Sequence, residues 1–173
     1  MRKNLRLKGS HDKGDYRKPA AFSGVPSAKA YALRLLSYRS RSKKELSERL
    51  KEKGFDAEEI NETLNFLEGV ALIKDKALAE WLLQNSLERR YLGREGIKML
   101  LLKRGIEKGL IDGTLSNLTE DVEQDVAIRF VQKKLKTLRT YPMDTITQKL
   151  SRMLHRRGFS SDVISAAIKS IKL

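Results

Sequence analysis

The sequence contains no cysteine, only two histidines and no long apolar run. Without cysteine, the chain can form neither a disulfide nor a thiolate metal site, and it has no thiol nucleophile. The histidines, His11 and His155, give no basis for a His-pair metal site or a Ser–His triad. No apolar run approaches the roughly 20 residues of a membrane span, and the basic N-terminus lacks the apolar core of a secretory signal. We therefore predict an intracellular, cytoplasmic protein with no membrane contact.

Nucleotide-binding and catalytic motifs are also missing from the sequence. Neither the P-loop nor the dinucleotide-binding glycine pattern occurs. The acidic residues fall on helix caps or beside bases at helical spacing, as in Lys44–Glu48. Residues 93–96, GREG, match the G-x-x-G loop of nucleotide-clamping modules. That loop requires a neighbouring sheet, whereas helical patterns flank it here, so a helix–helix turn is favoured. We predict no enzyme activity and no catalytic, metal or cofactor site.

Positive charge is abundant. The chain has 36 Lys and Arg against 22 Asp and Glu, a formal net charge of +14. Residues 129–158 hold nine bases and one acid, and residues 89–108 hold seven bases and two acids, whereas residues 56–80 hold seven acids and two bases. Such a balance favours a polyanionic partner, either a nucleic acid or a strongly acidic protein surface.

Helical periodicity begins after residue 27 and continues to the end of the chain. Residues 1–27 hold seven bases and two acids without periodicity, which predicts a flexible basic tail. Tyr31, Leu35 and Tyr38 then form one helical stripe, which predicts that both tyrosines pack in a core. Trp81 and Tyr91 are aromatic residues that could pack in the core or stack on bases. No segment shows sustained strand alternation, so the fold class is all-α.

One short pattern occurs three times. Residues 50–60 read LKEKGFDAEEI, residues 101–111 read LLKRGIEKGLI, and residues 154–164 read LHRRGFSSDVI. The glycine predicts the end of a helix, because it accepts a left-handed backbone. Asp56 and Ser160 predict the N-cap of the next helix, whereas Glu107 in the middle copy is a weaker cap. Each copy therefore predicts a sharp corner between two helices.

The three corners predict three tandem three-helix repeats, stacked into an elongated, curved array. We place their boundaries at residues 28–73, 74–118 and 119–173. A unit of about 50 residues is marginal alone, so the repeats are expected to share a core. The second helix of the middle repeat, IKMLLLKR, is apolar around most of its circumference. This predicts that neighbours cover it on both sides.

At this level of detail the sequence resembles the RecX family of bacterial recombinase regulators. The resemblance spans about residues 28–171. It depends on the run from Arg41 to Phe55, RSKKELSERLKEKGF, the run DKALAEW that begins at Asp75, and the run from Gly93 to Ile106, GREGIKMLLLKRGI. The family's usual GYG is YLG here, at residues 91–93.

The resemblance implies a non-enzymatic modulator, mainly an inhibitor, that binds the groove of the RecA filament on single-stranded DNA. It implies suppression of ATP hydrolysis, strand exchange and coprotease activity, hence a role in the SOS response and recombinational DNA repair. An elongated basic monomer could contact several filament subunits at once. The alternative is a stand-alone helical-repeat protein that binds nucleic acid without sequence preference. Weak direct DNA binding is compatible with either interpretation.

The candidate partner-binding residues are basic positions that match the family's charged surfaces. Lys149, Arg152 and Arg156 fall on one helical face, which predicts a basic stripe. If the repeats stack in register, such stripes would join into one positive band. The full set is Arg39, Arg41, Arg89, Arg90, Arg94, Lys98, Lys133, Lys136, Lys149, Arg152 and Arg156.

Overall fold

The computed structural model describes residues 27–171, and these residues form helices without a strand. The all-α prediction is confirmed, while the predicted basic tail lies outside the described residues apart from Ser27. The helices are α1 Ala28–Tyr38, α2 Lys43–Lys53, α3 Ala57–Gly69, α4 Asp75–Asn85, α5 Arg94–Lys103, α6 Lys108–Ser116, α7 Glu120–Leu138, α8 Met143–His155 and α9 Ser161–Lys169, with a π-helical segment at Ser86–Arg90.

The corners form as the repeated pattern predicts. Three corner glycines have positive φ: Gly54 at 99°, Gly105 at 70° and Gly158 at 78°. They follow α2, α5 and α8, respectively. The Asp56 side chain accepts from the Glu59 amide at 2.8 Å at the start of α3. The weaker cap of the middle copy is confirmed, because Glu107 makes no side-chain cap hydrogen bond. Local sequence therefore sets where each helix stops and the next begins.

The helices pack in three groups of three, α1–α3, α4–α6 and α7–α9. Their apolar residues form two clusters rather than one shared core. The larger cluster joins α4–α6 to α7–α9, whereas α1–α3 enclose a separate small cluster around Leu46, Leu50 and Leu67. The expectation of a shared core is therefore confirmed for the second and third groups and wrong for the first. The residue boundaries assigned to the repeats stay a prediction.

Two further expectations about burial are wrong. In α5, Ile97 and Leu101 are fully buried, but Met99 is 63% exposed and Leu102 is 37% exposed. Neighbours thus cover this helix on only part of its circumference, because the contact with the first group is polar. Tyr38 is 72% exposed, because it is the last residue of α1, whereas Tyr31 packs on Phe55 with ring centroids 6.1 Å apart.

Candidate partner-binding surface at the repeat junctions

The two contacts between neighbouring groups share one geometry. In the first junction, between α1–α3 and α4–α6, the backbone amide of Lys43 donates to Asp75 Oδ1 at 3.0 Å. In the second junction, between α4–α6 and α7–α9, the amide of Arg94 donates to Glu123 Oε1 at 2.9 Å. Lys43 and Arg94 are the first residues of α2 and α5. In both junctions a carboxylate from the next group therefore satisfies a free amide at a helix start, where negative charge is stabilising.

The corner of the next group also lies over the same helix start. At the first junction, a Cβ added to Gly105 would lie 2.9 Å from Lys44 Cβ and 3.1 Å from Ser42 Oγ. At the second junction the backbones themselves meet. The Gly93 amide donates to the Arg157 carbonyl at 3.0 Å, and the Glu95 amide donates to the Gly158 carbonyl at 3.2 Å. The second junction is tighter because glycine leaves room for this approach.

The GREG segment at residues 93–96 is thus part of a junction between helices, as its helical flanks predicted. Gly93 is the N-cap of α5 and carries no side-chain cap. The carbonyl groups at the end of α8 take the place of that cap, since they accept the amides of Gly93 and Glu95. The positive end of one helix faces the negative end of another, which is a favourable arrangement of their dipoles.

Glu45 joins the two groups at the first junction. Its carboxylate accepts from Arg39 at 2.9 Å and from Arg104 at 3.0 Å, and its side chain is only 14% exposed. Arg104 also donates to the Ser40 carbonyl at 2.8 Å. Burial raises the pKa of Glu45, but the hydrogen bonds from Arg39 and Arg104 outweigh it and hold the pKa below its ordinary value. The carboxylate is therefore stabilised in its ionised form.

The lowered pKa of Glu45 predicts that the stability of the first junction depends on pH. Because the folded pKa of Glu45 lies below its unfolded value, the ion pairs contribute stability above about pH 4.5. That contribution is lost as the pH falls through the folded pKa. We expect Glu45→Gln to lower the free energy of unfolding of the first group by about 1–2 kcal/mol at pH 7 and by much less at pH 3. Urea denaturation at both pH values measures the difference, and an equal loss at both would contradict the prediction.

A basic pocket lies beside the second junction. It has a volume of about 410 Å³ and brings together Arg89, Arg90, Lys133 and Arg156 from the predicted set. Two basic residues outside that set, Lys134 and Arg157, also line it, together with Tyr91, Leu92 and Phe130, and no acidic residue does. These cations form a concave cluster, and the continuous basic band stays a prediction. Six cations with no acid among them are suited to a polyanion.

The π-helical segment positions part of this cluster. Residues 86–90 continue α4 with a wider turn and end at Tyr91, whose φ of 51° is left-handed. Tyr91 is thus a bulky residue in a backbone conformation that is uncommon outside glycine and asparagine. Packing compensates, because the Tyr91 ring lies 5.9 Å from that of Phe130 and Lys133 Nζ lies 4.9 Å above it.

Arg157 is a partly buried cation of the pocket. Its guanidinium lies 4.3 Å from the centroid of Phe130, and its Nε is buried without a hydrogen-bond partner. Burial lowers the pKa of Arg157, and the charge of Arg156 lowers it further. This side chain combines the stacking preference of arginine with unneutralised charge.

The other predicted residues are placed differently. Arg39 and Arg41 line a pocket at the first junction. The Arg94 guanidinium donates to the Leu115 carbonyl at 3.0 Å and also to the Leu118 carbonyl, so it satisfies the end of α6. Lys149 lies 3.3 Å from the centroid of Tyr141. Arg94 lines a different pocket of the second junction, beside Glu120 and Glu123. Lys98, Lys136, Lys149 and Arg152 line neither of the two basic pockets.

Sequence reasoning missed Arg104, Arg157 and the bridging role of Glu45. A signal for the two arginines was present, since each directly precedes a corner glycine in the aligned repeats. Glu45 forms a capping box with Ser42 at the start of α2. Its additional contact with Arg104 joins residues 59 positions apart, a distance that local pattern cannot reveal.

Two kinds of feature, a metal-binding group and a membrane span, are not found among the described residues. Between residues 27 and 171, no group of three or more His, Asp or Glu residues is placed to hold a metal ion. Over the same range, every helix is too short or too polar to cross a bilayer.

Comparison with known proteins identifies relatives of this chain in sequence and in fold. The family model for the first three-helix domain of RecX matches residues 28–67, and that for the third three-helix domain matches residues 121–168. Regulatory protein RecX of Clostridium beijerinckii is 34% identical over 145 residues, which cover 83% of this chain and 67% of that protein. Regulatory protein RecX of Streptomyces coelicolor is 31% identical over 84% of this chain and 77% of that protein.

Solved structures agree with this comparison. The crystal structure of RecX from Lactobacillus salivarius superposes with a TM-score of 0.70 at 26% identity, covering 82% of this chain and 92% of that one. A second crystal structure of regulatory protein RecX gives 0.71 at 28% identity, covering 83% of this chain and 72% of that one. With sequence, domain models and fold in agreement, the chain belongs to the RecX family.

Proposed function

We propose that this chain regulates the RecA recombinase by binding along its filament on single-stranded DNA, mainly as an inhibitor. Membership of the RecX family supports RecA as the partner. The observation that carries the binding mode is the pair of basic pockets, one at each junction. In both, the end of one group's first helix meets the end of the next group's second helix, α1 with α5 and α4 with α8. Two such pockets on one chain can engage a repeating acidic or phosphate-bearing partner at two points, and the linked contacts strengthen each other.

The direct test is a titration of RecA ATPase activity on single-stranded DNA. The double variant Lys133→Glu, Arg156→Glu reverses two charges of the second-junction pocket, one on α7 and one at the end of α8. We expect at least a tenfold higher protein concentration for half inhibition, because unlike charges across an interface become like charges. The matched control reverses Lys108 and Lys169, two exposed lysines outside both pockets, and should inhibit as the wild type does.

Other outcomes separate the alternatives. Arg152→Glu alone tests the helical stripe, since Arg152 is exposed but does not line the pocket. If the wild-type protein leaves RecA activity unchanged at saturation while it binds DNA tightly, the proposal is wrong and the stand-alone nucleic-acid-binding function is favoured. Weak, sequence-independent and strongly salt-dependent DNA binding agrees with the proposal.

A further inference from the structure

The pocket at the first junction differs from the second in having an exposed indole. It has a volume of about 580 Å³ and is lined by Arg39, Arg41 and Arg104 together with Leu72, Leu78 and Trp81. Arg39 and Arg41 precede α2, Trp81 lies on α4, and Arg104 ends α5. The pocket therefore exists only when the first two groups are in contact. Its volume is that of a site for a small organic group.

Trp81 is the unusual member of this lining. The side chain is 59% exposed, although a large aromatic residue contributes most to stability when it is buried. Several other aromatic rings of the described chain carry a partner, as Tyr91 does under Lys133 and Tyr141 does under Lys149. Within residues 27–171, no other ring or cation stacks on Trp81. The indole is therefore placed in the pocket without a structural partner.

The charge around Trp81 is incompletely neutralised. One carboxylate, Glu45, is shared by Arg39 and Arg104. Arg41 donates only through Nε, to the Leu35 carbonyl at 3.3 Å, and makes no salt bridge within the described residues. Burial lowers the pKa of Arg41, and the neighbouring Arg39 guanidinium lowers it further. An anion beside Arg41 would relieve this crowding of positive charge.

We propose that the first-junction pocket binds a nucleotide of single-stranded nucleic acid, with the base stacked on Trp81 and a phosphate held by Arg41. An aromatic platform beside a positively charged groove is the combination with which proteins bind single strands without reading sequence. An acidic peptide would use the arginines equally well, but it would not require an aromatic ring at position 81. The proposal deepens the proposed function, since it assigns the DNA of the filament to one of the two pockets.

The protein carries its own probe, because Trp81 is the only tryptophan in the sequence. We expect its fluorescence to be quenched on titration of the full chain with oligothymidylate, with a midpoint that moves to higher concentration as salt is added. Binding of a labelled oligonucleotide is followed in parallel by anisotropy. If anisotropy shows binding while Trp81 fluorescence stays constant, or if no binding occurs, the assignment of this pocket is overturned.

Variants distinguish stacking from simple apolar contact. Trp81→Leu should weaken oligonucleotide binding roughly tenfold, whereas Trp81→Phe should retain most of the affinity because it keeps a π-face. Arg41→Gln should weaken binding and reduce its salt dependence. Arg129→Gln, which removes the same charge from an exposed site on α7, serves as the control and should bind as the wild type does.

The peptide alternative predicts the opposite pattern. Retention of full oligonucleotide affinity by Trp81→Leu would overturn the assignment of a base to this pocket. Displacement of the oligonucleotide by polyglutamate with a blue-shifted emission would assign the pocket to an acidic peptide. RecA ATPase inhibition is measured separately with the same variants. Inhibition by Trp81→Leu at wild-type concentrations together with unchanged DNA binding would leave the proposed function intact and remove only this inference.

Discussion

Gly96→Ala is expected to lower the free energy of unfolding by about 2–4 kcal/mol. A Cβ at position 96 would overlap the carbonyl oxygen of Arg157, which is backbone and cannot move aside alone. The helices would have to separate, and the hydrogen bonds from Gly93 and Glu95 to the end of α8 would lengthen or break. The free-energy cost of overpacking and of two weakened hydrogen bonds exceeds the free energy gained because alanine has a higher helix propensity than glycine.

Gly113→Ala provides the matched control, because it also lies within a helix but a Cβ there would meet no atom within 4 Å. This substitution should raise the free energy of unfolding by about 0.5–1 kcal/mol, since alanine loses less backbone freedom on folding. Urea denaturation followed by circular dichroism measures both variants. Equal stability of the Gly96→Ala and wild-type proteins would show that the second junction tolerates separation.

Leu50→Ala is expected to unfold α1–α3 while α4–α9 remain folded. Leu50 is fully buried, and removal of such a side chain lowers stability by about 2–5 kcal/mol. Leu50 belongs to the small cluster of α1–α3, which is separate from the larger core. A unit of this size has only a small free energy of unfolding. Hydrogen exchange should therefore become fast in α1–α3, with protection retained in the other helices.

Leu101→Ala is the corresponding substitution in the next repeat, at the position that aligns with Leu50, and this leucine is also fully buried. Because its cluster joins α4–α6 to α7–α9, protection should fall in all six of those helices together. If Leu50→Ala reduced protection of α7–α9 as much as that of α1–α3, the two clusters would behave as one cooperative unit, contrary to this description.

The corners could be predicted because they depend on neighbouring residues. A glycine with positive φ, a cap three residues before its amide partner and a repeated spacing are all local, so Gly54 and Asp56 were assigned correctly. The division of the core could not be predicted, since it depends on how closely the groups approach. At the second junction Gly93 and Gly96 allow backbone contact, whereas Ser42 and Lys44 occupy the corresponding space at the first.

The candidate site was predictable only in part for the same reason. Helical spacing placed Lys149, Arg152 and Arg156 on one face, but the pocket takes Arg156 alone and adds Arg157. The π-helical segment changes the direction of Arg89 and Arg90, and no simple pattern signals it. Trp81 remained ambiguous in the sequence because exposure, rather than residue type, distinguishes a stacking platform from a core residue.

The shared junction geometry gives the array a direction and two unlike ends. Each contact pairs a corner with a helix start, so it is heterologous rather than self-complementary. At one end the Gly54 corner has no neighbouring atom within 4 Å of an added Cβ, and the exposed residues beside it, Lys51, Glu52 and Lys53, are charged. Docking of another chain there would require these charges to lose water. A further pocket of this kind would therefore need a further contact between a corner and a helix start.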